Sequence, residues 1–258
     1  MPWVTRGLRN GVLTTRYPKR PDGYGTNWRG AVSVLADAAG STPVTEGLCP
    51  TGAIGHGATG GLTLDRGKCI LCGRCVAERP EVFGFDSSPW VASLARPGLV
   101  VPPTEESEAA LATLRAQLSR RAHSLKRSVH VRHVDAGSDG SEEWEIAALL
   151  SPVYDVHRLG VFFTASPRHA DLLLVTGAGS AGMAGPLLTT YEAMPDPRVV
   201  VAVGTDAVSG GTVGPSYATQ GGVAEIVPVD VWVPGSPPSP FSILHGILVA
   251  VGLLKGEA

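Results

Sequence analysis

The chain has 258 residues, which is enough for one large or two modest domains, and we expect two. Its formal net charge of -2 at pH 7 gives no whole-protein reason to expect nucleic acid as a partner. The longest apolar run, residues 241–254, is short for a membrane span and contains a histidine, so it predicts a buried helix. The N-terminus lacks the features of a signal peptide, and the cytoplasm is the expected compartment.

The first twenty residues are basic and carry no acidic side chain. Their five cations are interleaved with apolar residues. Such a segment can lie on an anionic membrane surface or dock on a partner, because its charges and its apolar side chains can be used together. An exposed basic tail is the alternative interpretation.

Composition divides the chain into three parts. Residues 1–103 are rich in Gly and Pro and have only short apolar runs, which is typical of a small domain built around a cofactor. Residues 104–127 open with glutamates, repeat leucines at helical spacing and end with basic residues, a pattern that predicts a helix. We therefore predict a linker helix at 104–127 between domains at 1–103 and 128–258.

The predicted second domain alternates short apolar runs with helical patterns. This alternation, with near-continuous Val and Leu strands, predicts a parallel α/β sheet covered on both faces. The segments are 129–134, 143–150, 170–176, 184–194, 199–204, 225–233 and 240–254. A site is expected where loops leave the carboxyl ends of the strands.

Three of the four cysteines form a Cys-x2-Cys-x2-Cys run at Cys69, Cys72 and Cys75. Bacterial ferredoxins hold three corners of a [4Fe–4S] cluster with this run, since thiolates suit iron and one short loop can wrap around the cluster. The fourth ligand usually stands in a Cys-Pro pair, and Cys49 precedes Pro50. We predict one [4Fe–4S] cluster on these four cysteines, with a structural zinc at the same residues as the alternative.

A second ferredoxin cluster has lost its complete ligand set. When the sequence is aligned with the two-cluster ferredoxin pattern, the four ligand positions of the second cluster hold Ala39, Thr42, Thr45 and Arg79. Because the fourth cysteine of each half ligates the other cluster, these four positions belong to one and the same cluster. The first domain is therefore predicted to be ferredoxin-like, of the α+β class, with a single cluster.

Two stretches of the lead-in, residues 14–21 and 27–30, resemble the start of the two-cluster ferredoxin subunit of complex I and of group 4 hydrogenases. The resemblance implies a lead-in that packs on a membrane arm.

Residues 128–254 resemble the small, electron-transferring subunit of energy-converting [NiFe] hydrogenases, whose fold also serves complex I (NADH-quinone oxidoreductase) as its quinone-proximal subunit. Five segments carry the resemblance: 129–138, 144–146, 154–156, 166–171 and 228–231. The family implies a flavodoxin-like sheet. It also implies a proximal [4Fe–4S] cluster that passes electrons to a large subunit.

The chain departs from this family at all four cluster-ligand positions, which hold Asp139, Glu142, Asp206 and Ser236. Carboxylates are hard ligands that suit a cubane cluster poorly, so we expect no cluster at this degenerate proximal-cluster site. If the fold is kept, these side chains converge, and a hard cation, a basic residue such as Arg168, a shared proton or water must offset their charge.

A dinucleotide site is a rival interpretation of the same domain. Residues 177–182 read Gly-Ala-Gly-Ser-Ala-Gly between a predicted strand and a helical pattern, and Asp206 closes the next strand. The resembling family has a Gly-rich loop here without any nucleotide, which makes this the lesser alternative.

The combined interpretation is an iron–sulfur accessory subunit of a membrane-associated complex I-like or group 4 hydrogenase-like assembly, not catalytic alone. Its cluster would relay electrons from a ferredoxin-type donor. The alternative is a structural coupling subunit that holds a large subunit to a membrane arm. The expected partners are a hydrogenase large-subunit-like protein and membrane-arm subunits, and the expected location is peripheral, on the cytoplasmic side of the membrane.

Overall fold

A computed structural model of the chain describes residues 2–20, 23, 28–35, 47–57, 60–86, 88, 90–103, 105–122 and 128–254. In chain order the elements are α1 (Pro2–Asn10), β1 (Val32–Val34), β2 (Ile54–His56), β3 (Leu62–Asp65), α2 (Arg74–Glu78), β4 (Phe83–Phe85), β5 (Val100–Val101), α3 (Glu105–Arg121), β6 (Val129–Asp135), α4 (Ser141–Ala148), β7 (Val161–Phe163), β8 (Leu172–Thr176), α5 (Ala181–Glu192), β9 (Val199–Val203), α6 (Thr205–Ser209), β10 (Val231–Val233) and α7 (Pro240–Ala250).

The first part of the chain builds a small α+β unit from two antiparallel sheets. One has the order β2-β3-β5, and the other pairs β1 with β4. Their buried side chains, among them Leu64 and Phe83, form one cluster with Cys69 and Cys75. The thiols thus belong to the core of this unit, as predicted for a small domain built around a cofactor. Ala39, Thr42 and Thr45 lie outside the described residues, and Arg79 follows α2.

The second part is a five-stranded parallel sheet with the order β10-β9-β8-β6-β7. Its central strands β8 and β9 are buried along their whole length, which explains their unbroken apolar sequences. Two hydrophobic clusters cover the two faces of the sheet. The predicted flavodoxin-like parallel α/β fold is confirmed.

Some predicted elements differ in extent from the observed ones. Only the last three residues of the apolar segment 225–233 form a strand, β10. The strand β7 was not predicted, because three residues at the edge of a sheet are too few to show a periodicity. The predicted linker helix corresponds to α3, and residues 123–127 lie outside the described part of the chain.

Residues from the predicted first domain also pack into the second. Tyr17, Ala92 and Leu94 belong to one hydrophobic cluster of the five-stranded sheet. Ser93 pairs with Trp232 through two backbone hydrogen bonds of 2.9 and 2.7 Å. The boundary at residue 103 stays a prediction, but the second core depends on residues on both sides of it.

A buried contact fixes the lead-in to helix α7. The Tyr17 hydroxyl lies 2.5 Å from Nδ1 of His245, and the Tyr17 ring packs on Trp90 with centroids 5.0 Å apart. Burial lowers the pKa of His245 to about 4, so its imidazole is neutral at pH 7. Nearby, the Thr15 backbone N–H donates to Val153 at 2.7 Å.

Helix α1 buries none of its residues. Trp3 and Leu8 are 73% and 80% exposed, so the helix presents apolar side chains together with its arginines. None of the helices in the described ranges combines the length and the hydropathy needed to cross a bilayer.

Candidate iron–sulfur centre and the adjoining carboxylate site

The Cys69–Cys75 loop connects β3 to α2 and takes its shape from two left-handed residues. Leu71 has φ 56° and Gly73 has φ 73°. A side chain at Gly73 would also be tight, because its Cβ would lie 3.2 Å from the Phe85 ring. These two conformations let the chain turn sharply, and the three cysteines of the loop line one cavity.

Cys49 joins the loop from the turn before β2. The Thr51 hydroxyl donates to the Lys68 carbonyl at 2.6 Å, which ties this turn to the loop. The Ala53 N–H donates to Cys49 Sγ at 3.3 Å. Burial alone would raise the pKa of Cys49, but the hydrogen bonds from Thr51 and Ala53 outweigh it and lower the pKa.

The four cysteines line a single cavity, with Cys69 and Cys75 buried and Cys72 exposed. Burial and the other cysteines raise the pKa of Cys69 to about 11, and the pKa of Cys75 is raised for the same reasons. Buried thiols of this kind become thiolates when a metal binds them. Four cysteines around one cavity, with backbone N–H groups directed at their sulfurs, fit the ligand set of an iron–sulfur cluster.

Arg66 supplies positive charge beside the cavity. Its guanidinium donates to the Val32 carbonyl at 3.1 Å and to the Ser33 hydroxyl at 2.7 Å, which fixes it in a partly buried position. Burial lowers the pKa of Arg66, and attraction to Asp86 and Cys69 opposes this effect. A fixed cation close to Cys69 favours the thiolate form.

The predicted degenerate site lies at the carboxyl end of the parallel sheet. Asp139 follows β6, Asp206 stands in the first turn of α6 after β9, and Ser236 follows β10. Glu142, in the first turn of α4, is 1% exposed. The topology therefore brings these elements to one edge of the sheet, as expected at a topological switch point.

Of these residues, Glu142 has the least favourable environment for a negative charge. Its Oε1 has no hydrogen-bond partner among the described residues. Burial raises the pKa of Glu142 to about 7, and the charges of Asp206 and Asp139 add to the effect. The pKa of Asp206 is raised for similar reasons, whereas hydrogen bonds from Ser141 lower the pKa of the exposed Asp139.

The proposed compensation by Arg168 is wrong. Arg168 lies in a short 3-10 helix that precedes β8, so it is at the amino end of the strands and away from these carboxylates. In the described part of the chain, no ion pair joins a basic side chain to Asp139, Glu142 or Asp206.

The two sites meet at the first residue of α6. The Thr205 hydroxyl donates to the Cys69 carbonyl at 3.0 Å in a buried position. The Thr205 N–H donates to Gly235 at 2.7 Å, which places Ser236 next to the same turn. The turn that is predicted to match a cluster-ligand position of the resembling family thus holds the cysteine loop of this chain.

A neighbouring polar network was not predicted. The Thr176 hydroxyl donates to Glu143 Oε1 at 2.5 Å and lies 3.1 Å from His133 Nε2, and the Ser138 hydroxyl donates to Glu143 Oε2 at 2.8 Å. These residues come from separate elements and form no motif. The only signal in the sequence is that two adjacent strands end in polar residues.

The Gly-rich loop at 177–182 is explained by packing within the chain. A Cβ at Gly177 would lie 2.6 Å from the backbone of Gly137 and Ser138, and a Cβ at Gly179 would lie 2.5 Å from the Gly222 carbonyl. Close backbone contacts leave no room for side chains at these positions, and they explain the glycines without a bound nucleotide.

Comparison with known proteins identifies both parts of the chain. A family model described as NADH ubiquinone oxidoreductase, 20 kDa subunit, matches residues 140–250, and one described as a 4Fe–4S single cluster domain matches residues 62–113. Formate hydrogenlyase subunit 7 of Escherichia coli is 41% identical over 158 residues, which are 61% of this chain and 60% of that protein.

Two archaeal relatives match over most of their length. A probable membrane-bound hydrogenase subunit, mbhJ, of Pyrococcus furiosus is 40% identical over 56% of this chain and 89% of that protein. An uncharacterized protein of Methanocaldococcus jannaschii is 43% identical over 48% of this chain and 82% of that protein. The chain therefore belongs to the family of complex I 20 kDa subunits and hydrogenase small subunits, and it carries a 4Fe–4S ferredoxin domain in front of the family domain.

Proposed function

We propose that the chain is an iron–sulfur subunit of a membrane-associated complex I-like or hydrogenase-like assembly, in which it relays electrons through one [4Fe–4S] cluster. The observation that carries the proposal is that all four cysteines line one cavity. When bound, the cluster supplies one-electron redox chemistry. A ferredoxin-type carrier is the proposed donor.

The residues around the cavity prepare it for a thiolate-bound group. The backbone N–H of Ala53 donates a hydrogen bond to the Cys49 sulfur, the Thr51 hydroxyl oxygen lies 3.5 Å from the same sulfur, and Arg66 provides a fixed cation near Cys69. Apolar side chains such as Leu48 and Leu64 line the same cavity and limit the access of water. Hydrogen bonds, charge and burial are the means by which a protein sets the potential of a cluster.

The proposed route for electrons leads out of the chain into another subunit. Thr205 brings the cysteine loop against the family domain, but the adjoining positions hold Asp139, Glu142 and Asp206, which carry no electrons. The proposed partners are a hydrogenase large-subunit-like protein and membrane-arm subunits, with the chain peripheral on the cytoplasmic side. Exposed aromatic side chains near the site, such as Trp144 at 78% exposure, are suited to such an interface.

A structural coupling role is the second candidate. The carboxylates at the family's ligand positions favour it, because a chain with no proximal cluster cannot complete the family's electron path alone. In this role the cysteine-bound cluster would stabilise the fold of the first unit and hold the surface that a large subunit contacts.

The two roles are distinguished by removing one ligand within the purified assembly. Cys72→Ala removes an exposed thiol, so the variant loses one cluster ligand and few packing contacts. In the relay role, the variant assembly loses the electron paramagnetic resonance signal of the reduced cluster and its reduction by the physiological donor. Thr51→Ser, which keeps all four cysteines, is the matched control. Electron transfer that continues in an assembled Cys72→Ala complex would favour the structural role.

Co-purification tests the proposed assembly. The chain exposes large apolar side chains at Trp3, Leu8 and Trp144. We therefore expect the isolated chain to aggregate or purify poorly, and to be recovered together with a large-subunit-like protein and membrane subunits. A stable, monodisperse monomer that recovers no such partner would contradict the proposal.

A further inference from the structure

Glu142 is a buried carboxyl group that has no cationic partner among the described residues. Its side chain is 1% exposed, and Oε1 makes no hydrogen bond to any described residue. Oε2 lies 3.1 Å from the Ser141 hydroxyl, whose shorter hydrogen bond, of 2.6 Å, goes to Asp139, and the backbone N–H of Glu142 also stabilises the carboxylate. A buried carboxylate without a cation is costly, and protonation is the usual way in which such a group loses its charge.

The charged groups nearest to Glu142 increase this cost. Asp206 on α6 and Asp139 in the loop before α4 both repel a negative charge on Glu142. Glu143, the next residue on α4, is bound to Thr176.

Helix α7, which packs against α4, offers no positive charge either. Its only titratable residue is His245, which contacts Tyr17 and whose pKa burial lowers to about 4. Strand β9, which ends just before Gly204, contains no titratable residue.

Glu142 lies close to the loop that holds the cluster ligands. A Cβ at Gly204 would be only 2.5 Å from Glu142 Oε1, so the carboxyl packs directly on this glycine. The next residue, Thr205, donates to the Cys69 carbonyl at 3.0 Å. Along this path, standard bond lengths place the carboxyl within about 13 Å of the Cys69 carbonyl.

We propose that Glu142 is a proton-binding site coupled to the cluster on Cys49, Cys69, Cys72 and Cys75, so that reduction of the cluster is accompanied by proton uptake at Glu142. The inference rests on the proposed function. One electron, delivered by a low-potential one-electron carrier, stays on the cluster, and one proton from water forms an O–H bond on the Glu142 carboxylate. The proton offsets the negative charge that the electron adds.

The coupling has a predictable size. The cluster lies beyond the Cys69 carbonyl, and at about 13 to 20 Å and an effective dielectric constant of about 20 one added charge changes the pKa of a carboxyl by about 0.6 to 1 unit. Reduction therefore raises the pKa of Glu142, which is already about 7, by up to about one unit. The range between the two values includes neutral pH.

A hard cation would offset the same charges, but it needs several oxygen ligands that converge on one point. At the carboxylate site, no three side chains of the described residues are placed to hold a single ion. A proton needs only one carboxylate oxygen, which Glu142 provides.

The test is a redox titration of the cluster in the intact chain, followed by electron paramagnetic resonance at pH values from about 6 to about 9. In the unmodified chain the midpoint potential should fall as the pH rises through about 7 to 8, because the reduced state binds the proton more tightly. In Glu142→Gln it should stay constant, near the acid limit of the unmodified chain. Glu145→Gln, which removes the same charge from the same helix, should keep the pH dependence.

Two results would overturn the coupling while leaving the cluster in place. One is a potential that does not depend on pH in the unmodified chain, and the other is an unchanged pH dependence in Glu142→Gln. A divalent cation retained by the unmodified chain and lost from this variant would also overturn it. A chain that binds no cluster would overturn the proposed function together with the coupling.

A second measurement needs no variant. The reduced-minus-oxidised infrared difference spectrum of the unmodified chain should contain the C=O band of a protonated carboxyl group. If reduction produces no such band, the coupling is contradicted even where Glu142→Gln fails to fold.

Discussion

The cysteine cavity and the carboxylate site lie on either side of Thr205, and each contains buried side chains that are negatively charged when deprotonated. The two sites differ in the groups that surround these side chains. The cysteine cavity has N–H donors and Arg66 beside its sulfurs, so it is prepared for a metal-bound, charged state. Glu142 has an unpaired oxygen and two carboxylate neighbours, so it is prepared for a proton. We therefore propose that the partners around the ligands, as well as the ligands themselves, distinguish the predicted cluster site from the predicted degenerate one.

Removing a cysteine should give the largest effect. Cys72→Ala is expected to abolish cluster binding and to destabilise the small unit, because its thin core surrounds the other cysteines and depends on the bound cluster. The five-stranded sheet has separate clusters on both faces and should remain folded. Iron analysis with limited proteolysis measures both effects, and Thr51→Ser is the control. Loss of the whole fold would contradict the separation of the cores.

Glu142→Gln should stabilise the protein, and mainly at high pH. The folded-state pKa of about 7 lies above the ordinary value of 4.5, so the folded protein holds the proton more tightly and loses stability as the pH rises from 4.5 through 7. Because Gln does not titrate, the variant keeps this stability, and its free energy of unfolding should exceed that of the unmodified chain by about 3 kcal/mol at pH 8 and by under about 1 kcal/mol at pH 5. Denaturant titrations at the two pH values measure the difference. An equal effect at both pH values would contradict the assignment.

His245 should give the opposite pH dependence. Burial lowers its pKa to about 4 in the folded state, so the unfolded chain binds the proton more tightly between about pH 4 and 6.5. Acidification from pH 7 to 5 should therefore cost about 2 kcal/mol of stability through this residue. His245→Gln should remove that part of the acid sensitivity. Thermal unfolding of the two proteins at both pH values provides the test.

Thr205→Val should have the smallest effect on stability, because it changes a single hydrogen bond between the two sites. It removes the hydroxyl that binds the Cys69 carbonyl and leaves that carbonyl buried without this partner, at a cost of about 1–3 kcal/mol. Thr205→Ser keeps the hydroxyl and should cost less. Denaturant unfolding gives the stabilities, and the cluster signal reports on the loop. Equal stability of the Val and Ser variants would show that the hydrogen bond contributes little.

The sequence predicts well those features that are local or regular. The spacing of Cys69, Cys72 and Cys75 predicts one loop, and the continuous apolar runs predict β8 and β9, because a parallel sheet buries both faces of its central strands. The positions of Asp139 and Asp206 follow from the order of strands in such a sheet.

Features that depend on tertiary contacts escaped prediction. Arg168 was one of several groups considered to offset the carboxylates, but it precedes β8 and lies at the opposite edge of the sheet. The hydrogen bond from Thr205 to Cys69 joins residues 136 positions apart, and no local pattern indicates it. The contact of Tyr17 with His245 likewise joins two parts of the chain that composition alone separates.

The most direct test of the single-cluster account is the metal content of the intact chain purified without oxygen, combined with anomalous scattering at the iron edge. The account predicts about four irons and four sulfides per chain, the content of one [4Fe–4S] cluster. It also predicts one anomalous peak, among Cys49, Cys69, Cys72 and Cys75, and none between Asp139 and Ser236. Iron for two clusters, zinc in place of iron, or a peak at the carboxylate site would contradict it.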